Sequence, residues 1–190
     1  MTNSDLLRAL QERFGATILD SSDQYGELQL HIRREELPDV ARLLHDSHGF
    51  DYLENLCGVD YLGREPRFEV VYHLLAIATN QRLCLKVGAP EQDARVPSLI
   101  ALWPTATYQE REVYDLFGIT FDGHEHITRI LLPDDWVGHP LRKDVPLGDE
   151  EIAFTFNQER IYAHKPFAQE GSLADVRTVT GKSLRATASL

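Results

Sequence analysis

The chain has little from which to build a metal, redox or nucleic-acid site of the common kinds. Of its 190 residues only two are cysteine, Cys57 and Cys84, far apart and outside any C-x-x-C spacing. A zinc ribbon and an iron–sulfur cluster each need a clustered set of ligands, so neither can be assembled from these thiols, and any cluster belongs to a partner. A disulfide between the two is open, but two small apolar residues buried in a reducing cytosol are the simpler account. Basic residues are also scarce. Against 30 Asp and Glu stand 19 Lys and Arg, a formal charge of −11, which argues against a phosphate-neutralising surface and against electrostatic attachment to anionic lipid. The longest apolar run, VVYHLLAIA, is broken by His73 and too short to span a bilayer. The N-terminal MTNSDLLRALQERFG lacks a signal peptide's apolar core, and Asp5 and Glu12 speak against a transit peptide. A G-x-S-x-G elbow, a phosphate-cradling loop and a dinucleotide G-x-G-x-x-G are missing, so no NADH site is expected. These absences predict a soluble cytoplasmic chain, held at a membrane only through a partner.

What is present suits one domain with an appendage. Asn3 or Ser4 can cap a first helix whose Leu6, Leu7, Leu10 and Phe14 recur at helical spacing, with Gly15 as its stop. ATILD and GELQLHI read as strands, the second alternating Leu28, Leu30 and Ile32 against Glu27, Gln29 and His31. EELPDVARLLHDSHG is a second amphipathic helix on Leu37, Val40, Ala41 and Leu44, ended by Gly49. YLENLCGVDYL, RFEVVYHLLAIA and RLCLKVG follow as strands, the last two a hairpin turning at Thr79 to Gln81. Pro97 is expected to open a short helix through Leu102. This order predicts an α+β fold, a two-layer domain of helices packed on a mixed β-sheet, over residues 1–133. From 134 to 190 the expectation is an extended C-terminal arm and tail: LLPDDWVGHPLRKDVPLGDEE carries three prolines, two glycines and no helical period. Within it Ile152, Phe154 and Phe156 alternate as an added strand would, and from Gly171 the tail is rich in Ser, Thr and Ala.

The stretch YQEREVYDLFGI sets four charged residues among aromatics. On a wheel of about 100° per residue, Leu116, Val113, Phe117 and Tyr114 form one arc, with Arg111, Glu112 and Asp115 opposite. Glu110 falls inside the apolar arc. Two accounts of it stay open: a capping box with Thr107, or a carboxylate held at a protein–protein seam. Arg111 and Asp115 read as a solvated i,i+4 pair, and Gly118 as the left-handed residue ending the helix.

The continuation, FGITFDGHEHITRILLPDDWVGHPLRKDVPL, carries a resemblance. Glu110, Arg111, Glu112, Asp115 to Ile119, Phe121, Gly123 and His124 match E-R-E-x-x-D-L-F-G-I-x-F-x-G-H; Arg129 to Pro133 end in I-L-L-P; and Asp135 to Pro146 match D-W-x-G-H-P-L-R-K-D-x-P. This combination resembles the 30-kDa subunit of respiratory complex I, the C-type subunit of bacterial NADH:quinone oxidoreductase. The chain departs from that pattern at Glu125-His126, where Pro-Asp is usual, at Thr128, where a basic residue is, and at Val145, where an aromatic is common. The resemblance implies a cofactor-free structural subunit of the hydrophilic arm, peripheral on the cytoplasmic side of the bacterial inner membrane. It implies docking to the 49-kDa-type subunit and to iron–sulfur subunits, with FMN, iron–sulfur clusters and quinone in those partners. Glu110, Arg111, Glu112, Asp115, His124, Arg129, Trp136, His139, Leu141, Arg142, Lys143 and Asp144 are then the expected partner contacts, with no catalytic, cofactor or metal residues. Alternatives are the same scaffold role in a membrane-bound hydrogenase or other donor complex, and a free metal-dependent hydrolase using His124, His126 and His139. No ligand spacing such as H-E-x-x-H supports the last.

Overall fold

The computed structural model describes residues 2–134 and 136–145. Helix α1 (Asn3–Phe14) leads into strands β1 (Ile18–Gln24) and β2 (Glu27–Ile32), then α2 (Leu37–His48), β3 (Tyr52–Asp60), β4 (Phe68–Ala76), β5 (Gln81–Ala89), β6 (Arg95–Pro97), α3 (Ala106–Phe117) and β7 (Thr120–Asp122). Five strands form a sheet in the order β1-β2-β5-β4-β3. The β2–β5 pair is parallel and the other three are antiparallel, so the sheet is mixed. The expected α+β class holds.

Local chemistry sets most boundaries. Helix α1 is capped one residue earlier than the sequence suggested: Thr2 Oγ1 accepts from the Asp5 amide at 3.1 Å while Thr2 N donates back to Asp5 at 3.4 Å, a capping box that Asn3 and Ser4 cannot make. Asn3 instead donates to the Gly26 carbonyl at 3.2 Å, tying α1 to the β1–β2 turn. That turn is Tyr25-Gly26, both at positive φ of 57° and 80°, the backbone twist two-residue hairpins require. Along β2, Leu28, Leu30 and Ile32 are buried and Glu27, Gln29 and His31 are half-buried. The hairpin of β4 and β5 is in register from Phe68↔Ala89 to Ala76↔Gln81.

The buried rows of β2, β4 and β5 share one core with Leu6 and Leu10 of α1 and with Leu37, Val40, Ala41 and Leu44 of α2. Helix α3 lies against β3, where Gly58 allows the approach: a Cβ there would stand 2.8 Å from Phe117 Cδ2 and 3.1 Å from Val113 Cγ1. Both cysteines are free. Cys57 on β3 faces Val71 and Cys84 on β5 faces His73, so β4 runs between them. Two strand spacings come to roughly 9–10 Å, beyond disulfide reach. Burial raises the Cys57 thiol and pushes Cys84 up to about 12.

Two expectations fail. Pro97 opens no helix; it ends β6, which pairs in parallel with β7 through Arg95↔Thr120, Val96↔Phe121 and Pro97↔Asp122. Beyond it the chain makes a single turn, the Leu99 carbonyl accepting from Leu102 and Trp103, because Ser98 and Leu99 are held by a carboxylate described below. Nor does the body end at Pro133. His139–Val145 belong to the same compact unit as residues 1–132, and Pro133–Gly138 fall in a separate one. The strand expected at Ile152 to Phe156 and the tail from Gly171 lie outside the described residues.

Candidate interaction platform at the end of helix α3

Glu110 is fully buried. Its Oε2 accepts from the Ser98 hydroxyl and its Oε1 from the Leu99 amide, each at 2.8 Å. The helix starts at Ala106 with Thr105 before it, and no side chain caps it. Glu110 therefore does not complete a capping box with Thr107; it pins the turn after β6 onto α3. Burial pushes its carboxyl up, against the pull of the Leu99 and Ser98 donors.

Asp115 is equally buried but richly supplied. Its Oδ1 accepts from Arg129 Nη1 at 2.7 Å, and its Oδ2 from three successive amides, Ile130 at 3.0 Å, Leu131 at 2.8 Å and Leu132 at 2.9 Å. Burial alone would raise this carboxyl; the Leu132 amide, Arg129 and the other two amides outweigh it and hold it below the usual carboxylate range. Arg111, four residues earlier, does not pair with Asp115. It donates to the carbonyls of Thr128 at 3.1 Å and Arg129 at 2.8 Å. One face of α3 thus grips a single segment, Arg111 by its carbonyls and Asp115 by its amides.

A second segment caps the end of the same helix. The last carbonyls of a helix lack intrahelical partners, and residues 139–142 supply them: His139 Nδ1 donates to Asp115 O at 2.9 Å, Leu141 N to Leu116 O at 3.1 Å and Arg142 Nε to Phe117 O at 2.6 Å. Gly118 makes room. It sits at φ +74°, and a Cβ on it would lie 2.5 Å from His139 Cδ2 and 2.7 Å from Arg142 Nη2. Arg142 also lies over the Phe68 ring at 5.1 Å, and His139 packs edge-on to Tyr114 at 5.8 Å. Burial lowers the His139 imidazole, with the Asp115 carbonyl opposing and Arg142 reinforcing the shift.

The strap continues onto the ends of β3 and β4. Lys143 N donates to Asp60 Oδ2 at 2.8 Å, and Arg67 Nη1 donates to Asp144 at 3.1 Å. Arg67 is itself buried, bidentate to Asp60 at 2.9 and 2.8 Å and bonded to Glu91 at 2.5 Å. Sequence reasoning missed Asp60 and Arg67. Their signal was opposite charges at the facing ends of two neighbouring strands, next to the Asp60↔Phe68 pair.

Of the twelve residues expected to touch a partner, Glu110 and Asp115 are enclosed, and Arg111, Arg129, His139, Arg142 and Asp144 bond within the chain. His124 is also turned inward, donating from Nε2 to Thr107 O at 3.1 Å and accepting the His126 amide on Nδ1 at 3.2 Å. Both ring nitrogens are occupied, and among the described residues no group of three His, Cys, Asp or Glu is arranged to hold a metal. Glu112, Leu141 and Lys143 are exposed, while Trp136 is half-buried in the 133–138 unit. Beside the exposed Lys143 and Asp144, the clamp and strap display four apolar side chains: Ile130 at 37%, Leu131 at 59%, Leu141 at 47% and Val145 at 37% exposure.

The model of the family described as respiratory-chain NADH dehydrogenase, 30 Kd subunit, matches residues 30–151, which take in the sheet from β2 onward, α3 and the strap. The chain belongs to that family. It is 60% identical over 172 residues to the C-type subunit of the NADH-quinone oxidoreductase of Roseiflexus castenholzii, covering 90% of this chain and 99% of that one. Its counterpart in Herpetosiphon aurantiacus, also a C-type subunit of NADH-quinone oxidoreductase, is 54% identical over 150 residues, covering 78% and 88%. A solved trypsin-resistant fragment (1-134) of Nqo5 shares the fold with a TM-score of 0.56 and 35% identity, over 64% of this chain and 98% of the fragment. A chain of the membrane-bound sulfane sulfur reductase, an archaeal respiratory membrane complex, gives a TM-score of 0.66 at 25% identity, over 76% and 85%. The complex I 30-kDa family supplies one subunit of a hetero-oligomeric oxidoreductase, and this chain takes that role. No helix among the described residues is long and apolar enough to cross a membrane.

Proposed function

We propose that the chain is a cofactor-free structural subunit of the hydrophilic arm of a proton-translocating NADH:quinone oxidoreductase, docked to the 49-kDa-type quinone-site subunit and to iron–sulfur subunits. It supports electron transfer from NADH to quinone by fixing its neighbours' geometry, with FMN, the iron–sulfur clusters and quinone carried by partners. It sits peripherally on the cytoplasmic side of the bacterial inner membrane. The observation that carries this reading is the platform: two segments clamped on the end of α3 present Ile130, Leu131, Leu141 and Val145 to solvent. Ordered in advance, such anchors lose little entropy on docking. Trp136 is a further contact, on its own loop.

The test is recovery of the tagged chain from mildly solubilised native membranes, with its co-purifying proteins identified and NADH:quinone activity measured. Leu131→Asp and Leu141→Asp should leave the fold intact yet lose the quinone-site subunit. Retention of that subunit by both variants would remove this platform from the interface. The likeness to a chain of the sulfane sulfur reductase complex favours a second reading, the same scaffold serving another electron donor. Recovery of an intact assembly inactive with NADH would select it.

A further inference from the structure

Two fully buried carboxylates lie on α3, and only one of them is neutralised. Asp115 has an arginine and three amides. Glu110 has a hydroxyl and one amide, both uncharged donors. The titratable groups that face it from packed elements are Tyr72 of β4 and His124 of the turn after β7. Tyr72 Oη is buried without a hydrogen-bond partner among the described residues, so the sheet side adds no donor to the carboxylate. The His124 ring is committed to the Thr107 carbonyl and the His126 amide, and its pull on the Glu110 carboxyl is downward but ranks behind the upward push of burial. A carboxylate so enclosed is costly to keep ionised.

Ser98 connects this site to solvent. Its Oγ donates to Glu110 Oε2 at 2.8 Å and accepts from the Ile100 amide at 3.3 Å, and the residue lines a cavity of about 520 Å³ together with Ile100, Thr107 and His124. The cavity is open to solvent. We propose that Glu110 is a buried proton-binding site, loaded and unloaded from that cavity through the Ser98 hydroxyl. Solvent gives a proton to Ser98 Oγ as the serine's own proton passes to Glu110 Oε2. One proton moves inward, and the Ser98–Glu110 bond survives with its direction reversed. Oγ then accepts from both Ile100 N and Glu110, and its hydrogen turns to the cavity. The upward push of burial on the Glu110 carboxyl has the sign this scheme needs.

The experiment is a pH titration of the full chain carrying ¹³C-labelled glutamate, following each carboxyl carbon by NMR. One resonance should titrate above the exposed glutamates and vanish in Glu110→Gln. Ser98→Ala, which removes a donor to the ionised form, should move that resonance further up. Glutamates that all titrate together in the exposed range would overturn the proposal, as would an outlying resonance that persists in Glu110→Gln. If Glu110→Gln does not fold, the serine variant decides: an outlier that stays put in Ser98→Ala is not coupled to the cavity, and the proposal falls.

Discussion

Replacing Asp115 by alanine removes the acceptor of four donors at once: Arg129 and the amides of Ile130, Leu131 and Leu132. Breaking a buried ion pair from one side costs about 3–5 kcal/mol, much of it the expense of the stranded charge. Arg129 keeps 15% side-chain exposure, so solvent entering the vacated space brings the cost toward the lower end of that range. The sheet core does not rest on this clamp, so the loss should appear as local opening. At 1.36 kcal/mol per tenfold, amides 130–132 should exchange hydrogen roughly two to four orders of magnitude faster, as far as their wild-type protection allows. The amides of β4 and β5 should keep their protection. Hydrogen exchange resolved by residue is the assay. Asp115→Asn should fall between, keeping one acceptor oxygen but turning an amino group toward Arg129. Acid should reproduce the effect: the folded carboxyl lies below its unfolded value of about 3.9. Its contribution is therefore complete above that unfolded value and fades as pH falls through the folded one. Unchanged exchange at 130–132 in Asp115→Ala would refute the claim that this side chain holds the segment.

Gly118→Ala combines a left-handed backbone with a clash against His139 and Arg142; it should lower stability by about 1–3 kcal/mol in a urea titration and expose the strap to proteolysis. Glu110→Gln should flatten the pH dependence of stability. The folded carboxyl is raised, so the stability it contributes is full below its unfolded value of about 4.3 and is lost as pH rises through the folded one. Urea midpoints of the two proteins should therefore diverge with rising pH, the variant being the more stable. Gly58→Val forces a side chain against Phe117 and Val113; an overpacking cost of about 1–3 kcal/mol should appear as a lower melting temperature.

Where a residue's neighbours lie close in sequence, the fold could be read from sequence. Helices α1 and α2, the alternation of β2 and the β4–β5 hairpin follow from periodicity within each segment. Nothing local could reveal that β5 inserts beside β2, because that pairing joins Leu28 to Leu83 across the whole of α2, β3 and β4. The helical wheel placed Asp115 opposite the apolar arc, and there it is; what the wheel lacks is the segment 128–132 that comes to cover it. The Thr107-x-x-Glu110 spacing imitated a cap but lost to stronger partners, since Ser98 and Leu99 stand closer to the carboxylate than its own helix start. The signature residues from Glu110 to Asp144 were legible as a set. Their charges suggested an outward role, yet most are spent holding the set together, and Ile130, Leu131, Leu141 and Val145 stand exposed beside Lys143.

Asp115 ties the chain twice, its carboxylate to Leu132 and its main-chain carbonyl to His139. A carboxylate and a peptide carbonyl of one residue thus hold two stretches seven positions apart in sequence. Any change that shifts the end of α3 is passed to both at once.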